Sequence, residues 1–433
     1  NNYLYLSVTG RNDYTSTLPV ESNSFFYPSV SVAYILTEAE KSIAATTAMN
    51  FAKFRISYAE VGKDGSPHRI FPALDPFTRS GGGYQVSVFG SNPNLKPERT
   101  KAFEIGGEFK FYNSRIGLDV TYYNMRNEGQ ISTPRLSYIS GYILQLVNGG
   151  TTRNSGLEIL LNGSPIKNKN FSWDITTNFA LNRNKVIALP GNFSEYYLSD
   201  TWLYGNVRAG YIKGQSYYTF RGNNFARNAN GELFIRTDGY PVANSTDSFN
   251  VIGNREPSFN LGITNRFRYK NFSLSMLWNW KVGGDVYNAT DRYLTLLGIS
   301  KKTLDRGTTT VLPGIVQSTG LVNTKEIPID ETWYNNTARG FKEELFIEKN
   351  IYSLRLRDIT LSYSVPLKSK RSFIKALDLN VTANNLILLT NYSGPDPDVN
   401  GLNGSNRGSG AVGFDYFSLP TPVTYQFGIS AKF

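Results

Sequence analysis

The chain has 433 residues with no Cys and one His, 45 Lys and Arg against 34 Asp and Glu, and 14% aromatics. Without thiols there are no disulfides, thiol nucleophiles or thiolate metal sites, and His68 alone, a polar loop residue in GSPHRI, cannot supply a His-based zinc site or a Ser-His-Asp triad. Mean hydropathy is −0.32 and no stretch approaches the roughly 18 apolar residues of a membrane helix, while the net charge of +11 is scattered singly without a recognition helix; helical membrane proteins and nucleic-acid binding are both disfavoured.

The N-terminal stretch NNYLYLSVTGRNDY has no basic n-region, apolar h-region or cleavage box, and reads as the middle of a strand. Two-residue alternation then recurs along the chain. KAFEIGGEFKF (101–111) sets Phe103, Ile105, Phe109 and Phe111 against Glu104, Glu108 and Lys110. RIGLDVTYY (115–123), FSWDITTNFALN (171–182) and FSLSMLWNW (272–280) alternate in the same way. A strand sends successive side chains to opposite faces, so each segment has one apolar and one polar side. The phase slips once in SLRLRDITLSYSV, which predicts a bulge at Arg357-Asp358.

Twelve strands are predicted, near 3–14, 27–37, 49–62, 99–111, 114–126, 152–164, 170–182, 257–269, 271–283, 351–366, 376–390 and 422–433. Helix signals are nearly absent; TEAEKSIAATTAM (37–49) could hold a turn of helix. Tight connections near 112–114, 162–170, 269–271 and 366–375 alternate with long ones near 15–26, 63–98, 127–151, 183–256, 284–350 and 391–421. A soluble sandwich has no reason to sort its connections so. An outer-membrane barrel does, because periplasmic turns are short and extracellular loops long. The expected fold is all-β: a transmembrane antiparallel β-barrel. VTYQFGISAKF (423–433) is then a lipid-facing strand, and its final aromatic resembles the signal read by outer-membrane assembly machinery.

Longer segments carry a family resemblance. SNPNLKPERTKAFEIGGEF (91–109) resembles the strand entry common in TonB-dependent outer-membrane transporters. FYPSVSVAYIL (26–36) with KFRISYAEVG (53–62), NSGLEILLNGSPIKNKNFSWDITTNFALNRNKVIAL (154–189), IGNREPSFNLGITNRFRYKNFSLSMLWNWKVGGDVYN (252–288) and the region 352–400 ending PDPDVN resemble blocks of the SusC-like branch, in order. Departures are AYI for Ala-Trp, SYAEVG for a Ser-Tyr-Gly run, and Asp398 where Glu is usual.

The resemblance implies a 22-stranded barrel around an N-terminal plug. Residues 1–433 would be its C-terminal portion, with the plug, the TonB box, the first strands and any signal peptide outside this sequence. It implies TonB-dependent uptake of a glycan or peptide oligomer across the outer membrane of a Gram-negative bacterium, and no enzyme activity. The implied partners are a SusD-like surface lipoprotein, the TonB complex acting through the plug, the lipid bilayer with its lipopolysaccharide, and a second barrel–lipoprotein pair in a dimer. The alternatives are a SusC-like barrel serving as a structural subunit of another outer-membrane complex, and a passive porin.

Loop aromatics with nearby Asp suit oligomer recognition at a barrel mouth. The candidate substrate-binding residues are Trp202, Tyr204, Tyr287, Trp333, Tyr334, Asp396 and Asp398, with Tyr217 and Tyr218 beside them. DPDVNG (396–401) matches the opening of a calcium loop, but Arg407 stands where a bidentate Glu is needed, so no metal is assigned. The adjacent Glu343 and Glu344 have nothing to place them on a substrate, so no catalytic residue or cofactor is expected.

Overall fold

A computed structural model describes the chain except at residues 1, 47, 77–80, 135–138, 140, 192, 198–206, 245–249, 336–339, 368–372 and 400–411. Among the described residues, twelve strands form one antiparallel sheet in which neighbours in space are neighbours in sequence. They are β1 (Leu4–Tyr14), β2 (Ser24–Ile35), β3 (Met49–Lys63), β4 (Glu98–Phe111), β5 (Ile116–Ser132) and β6 (Val147–Lys167), followed by β7 (Phe171–Ala188), β8 (Phe259–Tyr269), β9 (Phe272–Val282), β10 (Tyr352–Ser364), β11 (Ala376–Thr390) and β12 (Thr424–Lys432). β1 and β12 are the two edges of the sheet.

Each strand predicted from alternation is present. The boundaries differ most at β5, β6 and β7, whose upper ends extend past the expected 126, 152 and 182. There the sequence turns to Asn, Thr, Gly and Arg, and period-two hydropathy no longer marks the strand although the backbone ladder continues. The bulge is where the phase slip places it. Leu277 pairs with Asp358 and Trp278 with Leu356, so Arg357 has no partner, and β11 skips it as well.

Register keeps one side chain set on each face. The outer face carries Val8, Val30, Ile56, Ile105, Tyr122, Leu161, Phe272, Leu361, Val381 and Phe427, all exposed. The inner face is polar: the Arg55 guanidinium donates through both terminal nitrogens to Asp119, at 2.8 and 2.5 Å. Apolar residues turned outward and ion pairs turned inward invert the pattern of a water-soluble sheet.

The connections sort by end. At one end lie 36–48, 112–115, 168–170, 270–271 and 365–375; at the other lie 15–23, 64–97, 133–146, 189–258, 283–351 and 391–423. The alternation has one exception: 15–23 is shorter than 36–48, which holds the short helices Leu36–Ala39 and Lys41–Thr46. Tyr112, Asn113 and Ser114 all take left-handed φ values of 52–62°, which reverses the chain between β4 and β5 within a few residues. Protease added to intact cells is expected to cut within 283–351 and to spare 112–115. Cleavage at 112–115 with 283–351 intact would invert the topology.

Candidate functional site

Three long connections, 189–258, 283–351 and 391–423, meet in one buried core at the end opposite the tight turns. Phe220, Tyr287 and Phe414 come one from each and are 0% exposed. Their rings meet edge to face, Phe220–Phe414 at 5.0 Å and Tyr287–Phe414 at 6.0 Å. Val207, Ala209, Ile252, Ala289, Phe341, Phe346 and Ile347 complete this cluster. Three segments distant in sequence thus share one hydrophobic core and form a cap.

Buried charges fasten the cap. Arg255 donates from Nη1 to Val412 O at 2.6 Å and from Nε to Tyr218 O at 3.2 Å, with its guanidinium over the rings of Tyr218, Phe220 and Phe414. Burial pulls its pKa down to about 10, so it stays cationic at neutral pH. Gly413, at φ +84°, lets the backbone cross Arg255: a Cβ there would stand 2.9 Å from Arg255 Cδ.

The cap is tied to the wall at two places. On β7, Asn184 gives its backbone N and Nδ2 to Glu256 Oε1 at 2.9 and 2.6 Å, and accepts from Tyr217 N and Ser216 Oγ. Tyr217 reaches Asn154 on β6 through its hydroxyl, and burial raises the pKa of that hydroxyl. On β10, the fully buried Arg355 binds Asp396 at 2.5 Å, Arg357 from the bulge binds Asp398 at 2.6 Å, and Lys281 of β9 lies 3.9 Å from Asp398. Asp396 also accepts from the backbone N of Asp398 and of Thr421, each at 3.0 Å. Burial acts to raise the Asp396 carboxyl, but these N–H donors and Arg355 hold it below the usual carboxylate range.

The structure divides the sequence-predicted residues among different roles. Trp202 and Tyr204 lie outside the described residues. Tyr287 is corrected: packed on protein on every side, it has no face to offer a ligand. Asp396 is corrected in the same sense, since it is 2% exposed and its oxygens are engaged by Arg355 and backbone N–H groups. Asp398 is open to solvent while bridging Arg357 and Lys281. Trp333 and Tyr334 share the short helix Glu331–Asn335 and are half-buried. Trp333 lies against Gly340 and 6.3 Å from Tyr240, and the Tyr334 hydroxyl donates to Lys302 O and to Asp305. The rings of Tyr217 and Tyr218 lie 4.6 Å apart, tilted at 45° to each other.

Glu343 is fully buried on Arg292, and Glu344 accepts from Phe225 N, so both carboxylates are committed to the fold. Sequence reasoning missed Arg255, Glu256, Arg355 and Arg357. For the last two a signal existed: an Arg-x-Arg beside a phase slip brings two cations to the inner face, where they require anionic partners.

A family model described as "TonB dependent receptor-like, beta-barrel" matches residues 1–386. TonB-dependent receptor P3 of Formosa agariphila is 26% identical over 471 residues, covering all of this chain and 45% of that protein. TonB-dependent receptor SusC of Bacteroides thetaiotaomicron is 23% identical, again over all of this chain and 42% of that protein. The chain therefore spans less than half the length of these relatives. Among solved structures, the RagAB peptide importer in its "closed-closed" state superimposes with a TM-score of 0.77 at 21% identity, over all of this chain and 46% of that one.

Proposed function

Because the chain belongs to the TonB-dependent receptor-like β-barrel family, we propose that it forms the wall and mouth of an importer that takes up an oligomer, glycan or peptide. Receptors of this family are outer-membrane barrels of Gram-negative bacteria and are not enzymes, so the apolar face meets lipid and the long connections face the exterior. The remaining strands and the plug would belong to a longer polypeptide, pairing with the free edges of β1 and β12.

The observation that carries this reading is the shared cap core. Phe220, Tyr287 and Phe414 join three exterior connections into one folded unit, tied to the wall by Arg355–Asp396. A passive pore has little use for mouth loops buried into a common core, whereas a receptor that captures cargo needs a preformed surface. The SusC and RagAB names support a surface lipoprotein of the SusD-like kind as the partner that closes over this cap, and TonB as the source of energy. The half-buried Trp333 and Tyr334, with Asp398 at the cap rim, are the ligand-facing residues that remain available.

Full-length protein should take up labelled oligosaccharides or peptides only while TonB is present, and Trp333→Ala should weaken cargo binding about tenfold, as for loss of one aromatic anchor. Uptake that persists without TonB would mean a passive porin. No uptake, with co-isolation of other outer-membrane machinery, would mean a structural subunit.

A further inference from the structure

A cavity of about 220 Å³ lies outside the cap core, at the same end of the barrel, between the connections 64–97 and 133–146. Its floor is preformed. Phe89 and Gly90 pair in parallel with Leu144 and Gln145, and Gln145 Nε2 donates to Ser91 O at 2.8 Å. Gly90 is required at this crossing, because a Cβ there would collide with the Gln145 side chain. Leu146 packs with Leu18 and the fully buried Leu95, and Ile131 lies against the same cluster. Phe89, Ile131 and Leu146 thus present a fixed apolar surface to the cavity.

One cation stands over this surface. The Arg69 guanidinium lies 4.5 Å from the centroid of the Phe89 ring, which holds it beside the apolar floor. Arg69 is half-buried, and among the described residues its side chain makes no ion pair and no hydrogen bond. The exposed Ser66 and Thr133 complete the rim.

A guanidinium is planar and forked, the geometry that a carboxylate matches with two parallel hydrogen bonds. An inorganic anion would satisfy Arg69 but leave the apolar floor bare. A neutral glycan offers no charge, and an acidic one sets hydroxyls against Phe89, Ile131 and Leu146, where they lose water without gaining partners. A carboxylate that carries one apolar side chain meets both features. An apolar cavity of about 150 Å³ accepts a benzene ring, so this larger one takes a side chain of Leu or Phe size.

The geometry points to a binding site for the C-terminal residue of a peptide. Its carboxylate sits on Arg69, and its apolar side chain lies against Phe89, Ile131 and Leu146. The preceding peptide groups leave past Ser66 and Thr133, whose hydroxyls can donate to or accept from the ligand backbone. The inference deepens the import reading by choosing peptide over glycan, and it rests on that reading in taking the ligand as cargo.

The test titrates full-length protein in detergent with a short labelled peptide ending in Leu, its C-terminal amide, and the same peptide ending in Gly. Wild type is expected to bind the acid about tenfold more tightly than the amide, as for one hydrogen bond to a charged group. Leu should exceed Gly by about tenfold, as for one buried aliphatic side chain. Arg69→Gln should remove the preference for acid over amide and keep that for Leu over Gly, which separates a lost contact from a lost cavity. Arg69→Lys, with charge but no fork, should retain an acid preference of about threefold. Arg236→Gln, in the 189–258 connection, should change neither preference. Equal affinity for acid and amide overturns the inference, as does an acid preference that survives Arg69→Gln. Octanoate competing as well as the peptide would assign an acyl-chain site and overturn it too. TonB-dependent uptake of a glycan with no acid preference overturns this inference and leaves import standing. Acid preference that depends on Arg69, with no uptake, supports the site and counts against import alone.

Discussion

Arg355→Ala is expected to release the 391–423 connection from the wall while the barrel stays assembled. The change leaves Asp396 buried without its cation, and breaking a buried pair from one side costs about 3–5 kcal/mol. That cost falls on the docked loop, because the strand ladder on either side of β10 is unaffected. Hydrogen exchange or limited proteolysis of 391–423 should rise sharply, with heat-modifiable mobility unchanged. Replacing both partners by apolar residues of similar size, Arg355→Met with Asp396→Leu, should restore much of the protection, since neither charge is then stranded.

The same pair sets a pH dependence. The Asp396 carboxyl is lowered in the folded state, so its contribution is complete above the unfolded carboxylate pKa of about 3.9 and is lost only as pH falls through the lower folded value. Protection of 391–423 should therefore persist at pH 5 and fail in stronger acid. Loss of protection between pH 7 and 5, or none in Arg355→Ala, would show that the clasp does not hold the loop.

The second large effect is Phe414→Ala. Phe414 is 0% exposed and touches Phe220 and Tyr287, so its removal empties the point where three connections meet. Truncating a buried Phe costs about 3–5 kcal/mol. The short strands of the cap have little independent stability to absorb it: Phe414–Asp415 and Val286–Asn288 are only two and three residues long. Cargo binding should drop more than tenfold, with normal barrel yield. The reading is wrong if this variant binds and imports like wild type. Phe427→Ala, on the lipid-facing side of β12 and 81% exposed, should leave cargo binding unchanged.

The barrel was legible in the sequence because its determinants are local. Alternation sets which face of a strand meets lipid, and a one-residue slip moves every side chain to the other face, so Phe103 and Ile105 specify the register of β4 almost by themselves. The slip near Arg357 placed the bulge for the same reason. The unequal connections gave the two ends, and the shorter 15–23 connection, the exception, does not disturb that sorting.

The site was legible only as a region. Tyr287 reads in sequence as one more loop aromatic, and nothing near it reveals that Phe220, 67 positions earlier, and Phe414, 127 positions later, will close over it. Asp396 and Asp398 likewise read as free carboxylates, and their engagement depends on Arg355 and Arg357, 41 positions away on another strand. Strand character follows from period-two patterning within a dozen residues. Burial of a loop side chain depends instead on which distant segments converge on it, and no periodicity in the sequence records that convergence.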